Sequence, residues 1–257
     1  MAVRLEKQDS IGHIVLDRPP ANTYDRGFLD ELDAAIEEAR RDDAVKAILV
    51  RSANEKFFSA GADINVFAKG DLDGQNAFVV CANDAMGKLE STPKVVVAAI
   101  NGHCLGGGLE IALCCDFRIA AEGGYRIGLP EVSLGLLPGT GGTQRLPRLI
   151  GRQKALDLML RGTTLTPPEA LAAGVVDEVV PPGELLDKTL ERTRAYASGP
   201  AFAIGQIKYA TVQGFGRPLA EGLAIEREAL VRLFKSEDAR EGVTAFVEKR
   251  KPNYKGK

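Results

Sequence analysis

Asn101-Gly102-His103-Cys104-Leu105-Gly106-Gly107-Gly108-Leu109-Glu110-Ile111-Ala112-Leu113-Cys114-Cys115-Asp116 is the stretch that decides the fold. It follows an apolar run, Val95 to Ile100, which comes just after Pro93 and reads as a buried strand. The three successive glycines let backbone approach a ligand, or another chain segment, without side-chain interference. From Leu109 to Cys115 the residues are apolar nearly all round, as expected of a short buried helix. A glycine turn that opens a helix leaves the first helical amides without internal acceptors, at the end where the helix dipole favours negative charge. Taken alone, the same glycines serve equally well for tight turns and close packing.

The pattern upstream is similar. Ala47-Ile48-Leu49-Val50 reads as a buried strand and is followed by a loop from Asn54 to Ala62, which holds Phe57-Phe58-Ser59-Ala60-Gly61-Ala62-Asp63-Ile64. A helical pattern then runs from Gln75 to Leu89. Before these, Val3 to Leu16 alternates around Ser10-Ile11-Gly12 as two strands joined by a turn, and Phe28 to Ala39 repeats apolar residues at helical spacing. Downstream, Phe117 to Ala120 reads as a strand and Gly139 to Gly142 as a second glycine turn. The remainder is mainly helical in pattern, with a short extended piece at Asp177 to Pro182. This divides the chain into a core at 1–181 and a helical region at 182–257 belonging to the same unit.

Composition narrows the function classes. The 257 residues are 45% hydrophobic and 26% charged, ordinary usage for a globule able to bury a sizeable core. Thirty-three basic against 35 acidic side chains give a net charge of −2 with no long block of either sign, so nucleic acid is not an expected partner. No apolar run reaches membrane-spanning length, and the opening MAVRLEKQDS lacks the apolar core of a signal peptide; the expectation is a cytoplasmic location without membrane association. Cys81, Cys104, Cys114 and Cys115 form no CxxC pair and read as small buried hydrophobes, and with only His13 and His103 available no metal site is expected. Neither a GxxxxGK[ST] phosphate loop nor a GxGxxG following a strand is present.

Four stretches in order, FSAGADI at 58–64, NGHCLGGGLEIALCCD at 101–116, PEVSLGLLPGTGGTQRL at 130–146 and REGVTAFVEKRKPNY at 240–254, resemble the crotonase superfamily, closest in motif pattern to enoyl-CoA hydratase. The resemblance spans nearly the whole chain. It implies an α/β fold of the crotonase type, a spiral of ββα turns followed by a C-terminal helical oligomerisation region, in a homotrimer or homohexamer. It also implies reversible syn addition of water to a 2-enoyl-CoA, giving 3-hydroxyacyl-CoA, with coenzyme A as part of the substrate and no other cofactor.

By the same resemblance the backbone amides of Ala62 and Gly107 form an oxyanion hole, and Glu110 and Glu131 are the two catalytic carboxylates. The chemistry suits these groups. Fixed donors stabilise charge on a thioester oxygen, and paired carboxyls exchange protons with water and Cα. Ala21, Lys56, Ala60, Asp63, Ile64, Phe246 and Lys249 match positions near coenzyme A. Asp63 and Asp116 also read as carboxylates satisfying nearby backbone donors. The segment Arg18 to Asp25 departs from the common N-A-L-N pattern, which leaves its contacts open. Leu129, Leu136 and residues 66–80 are expected acyl-pocket walls or ordinary core. Competing readings are another crotonase reaction, such as isomerisation, decarboxylation or hydration of a branched or cyclic acyl-CoA, or a non-catalytic acyl-CoA- or RNA-binding subunit.

Overall fold

The computed structural model describes residues 1–256, without the side chain of Lys69. It opens with β1 (Val3–Gln8) and β2 (Ile11–Leu16), an antiparallel pair in which Gln8 faces Ile11. The turn is therefore Asp9-Ser10, both at positive φ, one residue earlier than the pattern around Ser10-Ile11-Gly12 suggests. Two such residues give the backbone twist a tight hairpin requires. Next comes α1 (Arg26–Arg41), started by Asp25, whose carboxylate accepts a hydrogen bond from the Phe28 amide at 3.0 Å. Phe28, Leu29, Leu32 and Ile36 bury one face of it completely, each contributing roughly 1.5–3 kcal/mol. The ends extend beyond the 28–39 periodicity because Arg26, Arg40 and Arg41 are polar and carry no apolar signal.

Three turns of strand, strand and helix follow. The first is β3 (Ala47–Ser52) and β4 (Phe57–Ser59) with helices α2 (Ile64–Lys69) and α3 (Leu72–Ser91). The second is β5 (Val95–Ile100), β6 (His103–Leu105) and α4 (Gly107–Leu113). The third is β7 (Phe117–Ala121), β8 (Ile127–Gly128) and α5 (Gly142–Ile150). The first strand of each turn joins one sheet, with β3, β5 and β7 parallel neighbours; the second strands β4, β6 and β8 are parallel neighbours in another. This advance of one strand per sheet per turn is the expected ββα spiral. The chain continues through α6 (Arg152–Arg161), β9 (Thr164–Leu165), α7 (Pro167–Ala173) and β10 (Glu178–Val180). It ends with α8 (Leu185–Ala197), α9 (Ala201–Gly214), α10 (Leu219–Phe234) and α11 (Glu237–Val247).

Several elements differ from the sequence pattern. The expected loop 54–62 contains β4, residues 103–105 form β6, and the helical stretch after the second glycine turn is interrupted by β9. Strands of two or three residues are too short to show a period of two. They exist because the second sheet supplies backbone partners from distant positions.

The first sheet is covered on both faces. Ile48, Val50, Val96, Ala98 and Ile100 face the main core with α1, α3 and α4, whereas Leu49, Val97 and Ile119 face Leu185 of α8. Alternate residues thus point to two apolar environments, which is why these strands read as unbroken apolar runs. Asp116 joins α9 to this assembly: its Oδ2 accepts from the Val96 amide and from Lys208 Nζ, each at 2.7 Å. Ile207, Leu219, Phe234, Phe246 and Val247 leave apolar surface exposed on α9 to α11. Among the described residues no helix is long and apolar enough to cross a membrane.

Candidate active site

The site is built where the two glycine loops meet. The loop after β4 is held against the segment before α1 by backbone hydrogen bonds: Ala60 to Ala21, Tyr24 to Gly61, and Asp63 to Tyr24, all at 2.9 Å. The last two are the pattern of a parallel bridge between Tyr24 and Ala62, which turns the N–H of Ala62 away from Tyr24. Gly61 has φ +88°, and a Cβ there would stand 2.7 Å from the Gly107 nitrogen, so the two loops are in contact. Gly107 is the first residue of α4, and its amide has no acceptor within the helix. Ala62 and Gly107 line one cleft of about 530 Å³, together with Ala60, Ile64, Glu110 and Glu131. Its walls are mostly apolar, with Phe67, Phe78, Leu134 and Leu136 among them.

The two glutamates occupy contrasting surroundings. Glu110, in the first turn of α4, is 2% exposed. Its Oε1 accepts from the Thr140 amide at 2.8 Å and the Gly142 amide at 2.7 Å, and its Oε2 accepts from the Thr140 hydroxyl. Burial holds its pKa above the ordinary glutamate value, and these donors oppose part of that rise by stabilising the ionised form. Glu131 begins a short 3-10 turn, Glu131–Leu134, and its Oε2 is buried with no hydrogen-bond partner. Its pKa is pushed up to about 7, mainly by burial and further by the Glu110 charge. One carboxyl is thus furnished with donors and the other is left short of them.

The loop that serves Glu110 is itself braced. Arg145 on α5 donates to the Thr140 carbonyl at 3.0 Å and to Glu90 at 2.8 Å. Gly141 has φ +117°, a conformation that side chains rarely adopt, and a Cβ there would also displace the Arg145 guanidinium, so glycine is favoured at this position.

The other expected binding residues divide into two groups. Ala60 and Ile64 line the cleft; Ala21, Lys56, Asp63, Phe246 and Lys249 are not among its lining residues. Ala21 meets the site through its carbonyl, which accepts from the Ala60 amide. Lys56 has an exposed side chain, and its carbonyl accepts from the His103 amide at 2.8 Å. Asp63 caps α2, accepting from the Asn65 amide at 3.0 Å, which agrees with its structural reading. Phe246, 85% exposed, and Lys249 lie at the end of α11. Leu136 lines the cleft, whereas Leu129 is core. His103 accepts from the Arg126 amide and is not a cleft residue.

Tyr24, Thr140 and Asn22 were not singled out by sequence reasoning. Tyr24 and Asn22 lie in the segment that departs from the N-A-L-N pattern, and that departure was the available signal. Asn22 is fully buried at φ +49° and ties three strands' ends together: it accepts from the Arg18 amide at 2.6 Å and donates to Ser52 Oγ at 2.8 Å and the Phe58 carbonyl at 3.0 Å. All four cysteines are free, three of them buried, and burial pushes the Cys104, Cys114 and Cys115 thiols up. Among the described residues no group of His, Cys, Asp and Glu is arranged to hold a metal ion.

Residues 6–257 match the family model described as enoyl-CoA hydratase/isomerase. The chain belongs to the enoyl-CoA hydratase/isomerase family. Among this family's curated members it is similar to the short-chain-enoyl-CoA hydratase of Clostridium acetobutylicum, 39% identical over 97% of this chain and 95% of that one. It is also similar to the crotonyl-CoA hydratase of Syntrophomonas wolfei, at 37% identity over 97% and 96%. A solved enoyl-CoA hydratase structure from Geobacillus kaustophilus HTA426 superposes with a TM-score of 0.96 at 44% identity, covering 100% of this chain and 97% of that one. The crotonase fold and the family read from the four motifs are both borne out.

Proposed function

We propose that this family member is an enoyl-CoA hydratase, adding water reversibly to a 2-enoyl-CoA to give 3-hydroxyacyl-CoA. The observation that carries the reading is the pair Glu110 and Glu131 in one cleft, one carboxyl rich in donors and the other with its Oε2 buried and unpartnered, beside the amides of Ala62 and Gly107.

The thioester oxygen accepts hydrogen bonds from the Ala62 and Gly107 amides. Charge that builds there as water adds to Cβ meets fixed donors that need no reorganisation. Glu110, ionised, takes a proton from water as its oxygen bonds to Cβ, and the π electrons move to the thioester enolate. Glu131, which holds its proton more readily, donates it to Cα. The proton on Glu110 returns to Glu131 through the next water to enter, so the net change is one H and one OH added to the alkene. Dehydration is the reverse. The steps use only protein groups and the substrate's own thioester.

Coenzyme A extends from the cleft past Ala60, Ile64 and Asp63, with Ala21 shaping the loop behind it and Lys56 as a phosphate partner. Phe246 and Lys249, which do not line this protomer's cleft, serve a neighbouring subunit in a homotrimer or homohexamer. The exposed apolar side chains of α9 to α11 support such an assembly.

The test is turnover of a short trans-2-enoyl-CoA, with products identified and deuterium incorporation followed at Cα in heavy water. Glu110→Gln and Glu131→Gln should each lose at least about 10²-fold in kcat, with much smaller changes in KM. Near wild-type turnover in either variant, or double-bond migration as the only product, defeats the reading.

A further inference from the structure

Beyond Glu110 lies a feature that the proposed reaction does not itself require. Tyr24 is 1% exposed, its ring packed between Phe28 and Phe78 at 6.1 and 5.9 Å between centroids. Its hydroxyl lies against Gly107, where any Cβ would collide with it, and 3.4 Å from the Thr140 hydroxyl. Thr140 in turn meets Glu110 with both its amide and its hydroxyl. A buried phenol needs a partner. Here the partner is the residue that grips a carboxylate of the active site.

The direction of the proton donors follows from the count at Glu110. Oε1 already accepts two backbone N–H bonds, which favour the ionised carboxylate, and an ionised carboxylate can only accept. The single proton of the Thr140 hydroxyl therefore points to Oε2, leaving Thr140 Oγ1 to accept from Tyr24. The phenol suits this task, since burial holds its pKa far above the ordinary tyrosine range and keeps it a donor.

We propose that Tyr24 and Thr140 form a two-link donor chain, Tyr24 Oη–H to Thr140 Oγ1 and Thr140 Oγ1–H to Glu110 Oε2, that keeps Glu110 ionised and aimed into the cleft. Both line the cleft beside Glu110 and are positioning residues, acting on the reaction through Glu110; the assignment of Glu110 as the base rests on the proposed function. The chain offsets the burial of Glu110, which favours its neutral form. Other groups facing Glu110 contribute less directly: Arg145 on α5 is paired with Glu90 of α3, and Cys114, on the turn that ends α4, directs its thiol to the Glu110 carbonyl at 3.1 Å.

The experiment is a carbon-13 titration of the glutamate carboxyls in the whole protein, with Glu110 assigned by its loss in Glu110→Gln. Thr140→Val removes the hydroxyl but keeps the shape and the amide. It should raise the Glu110 midpoint by about one pH unit, the worth of one hydrogen bond to a charged group. Tyr24→Phe should raise it by about half as much, Thr140→Ser should restore the wild-type value, and the Tyr24→Phe/Thr140→Val double variant should move no further than Thr140→Val alone. In turnover, kcat should fall about 3- to 10-fold with KM held and the acid limb displaced upward. Unchanged midpoints in folded Tyr24→Phe and Thr140→Val overturn the chain. Lower midpoints overturn its direction, since they mean a protonated Glu110 donating outward. Because the titration needs no substrate, it judges the chain even where wild-type protein fails to hydrate an enoyl-CoA, a result that would defeat only the proposed function.

Discussion

A Cβ added to Gly61 would lie 2.7 Å from the Gly107 nitrogen and 3.0 Å from the Leu105 carbonyl oxygen. Two residues far apart in sequence thus share one small volume, which the proposed use of the Gly107 amide as an oxyanion donor requires to stay empty.

Gly61→Ala fills that volume with a methyl group in a backbone conformation, φ +88°, that side chains disfavour by about 1–2 kcal/mol. The expected result is a fall of 10² or more in kcat, roughly the effect of losing one oxyanion donor, with a modest drop in thermal midpoint. Steady-state kinetics beside thermal unfolding checks it. A folded variant with full turnover would show that the Gly107 amide is not needed.

Asn22→Ala removes a buried side chain that bonds Arg18, Ser52 and Phe58 and that tolerates φ +49° better than alanine does. Its loss leaves the Arg18 amide and the Phe58 carbonyl short of a partner, at a cost on the order of 2–4 kcal/mol. Urea unfolding measures this. The lost side chain fixes the segment whose backbone carbonyl, which alanine keeps, accepts from Ser59 Oγ at 2.7 Å in the strand leading to Ala62, so loosening that segment should lower kcat as well.

Glu131 links stability to pH. Its carboxyl ionises near the ordinary glutamate value of 4.5 when unfolded and near 7 when folded. The raised folded value means that its contribution is fully present below about pH 4.5 and is lost as pH rises to about 7. Glu131→Gln should therefore stabilise the protein at pH 8, on the order of 2 kcal/mol after allowance for partial exposure, and change little at pH 4. Thermal midpoints of both proteins across this range decide the matter; equal gains at both pH values would assign the effect to packing.

Much of the fold was legible because burial leaves periodic traces. The strand at Val95 to Ile100, the helix begun at Phe28 and the glycine-led helix at Leu109 announce themselves within a dozen residues. The second sheet does not. Strand β4 is three residues of Phe57 to Ser59, and nothing local shows that His103 to Leu105 will lie beside it. At the site, Ala62, Gly107, Glu110 and Glu131 could be named from four ordered motifs. Asn22, Tyr24 and Thr140 could not, because each matters through a partner 30 to 116 positions away.

The sequence by itself determined which residue types are available: glycine where backbone must approach backbone, small residues beside them, and two glutamates after separate loops. The tertiary structure decided how those glutamates differ. Glu110 receives three donors from the Thr140 loop, while Glu131 Oε2 is buried with none. Two carboxyls of identical intrinsic chemistry are given unlike surroundings by desolvation and hydrogen bonding, and both effects depend on atoms that only folding brings near.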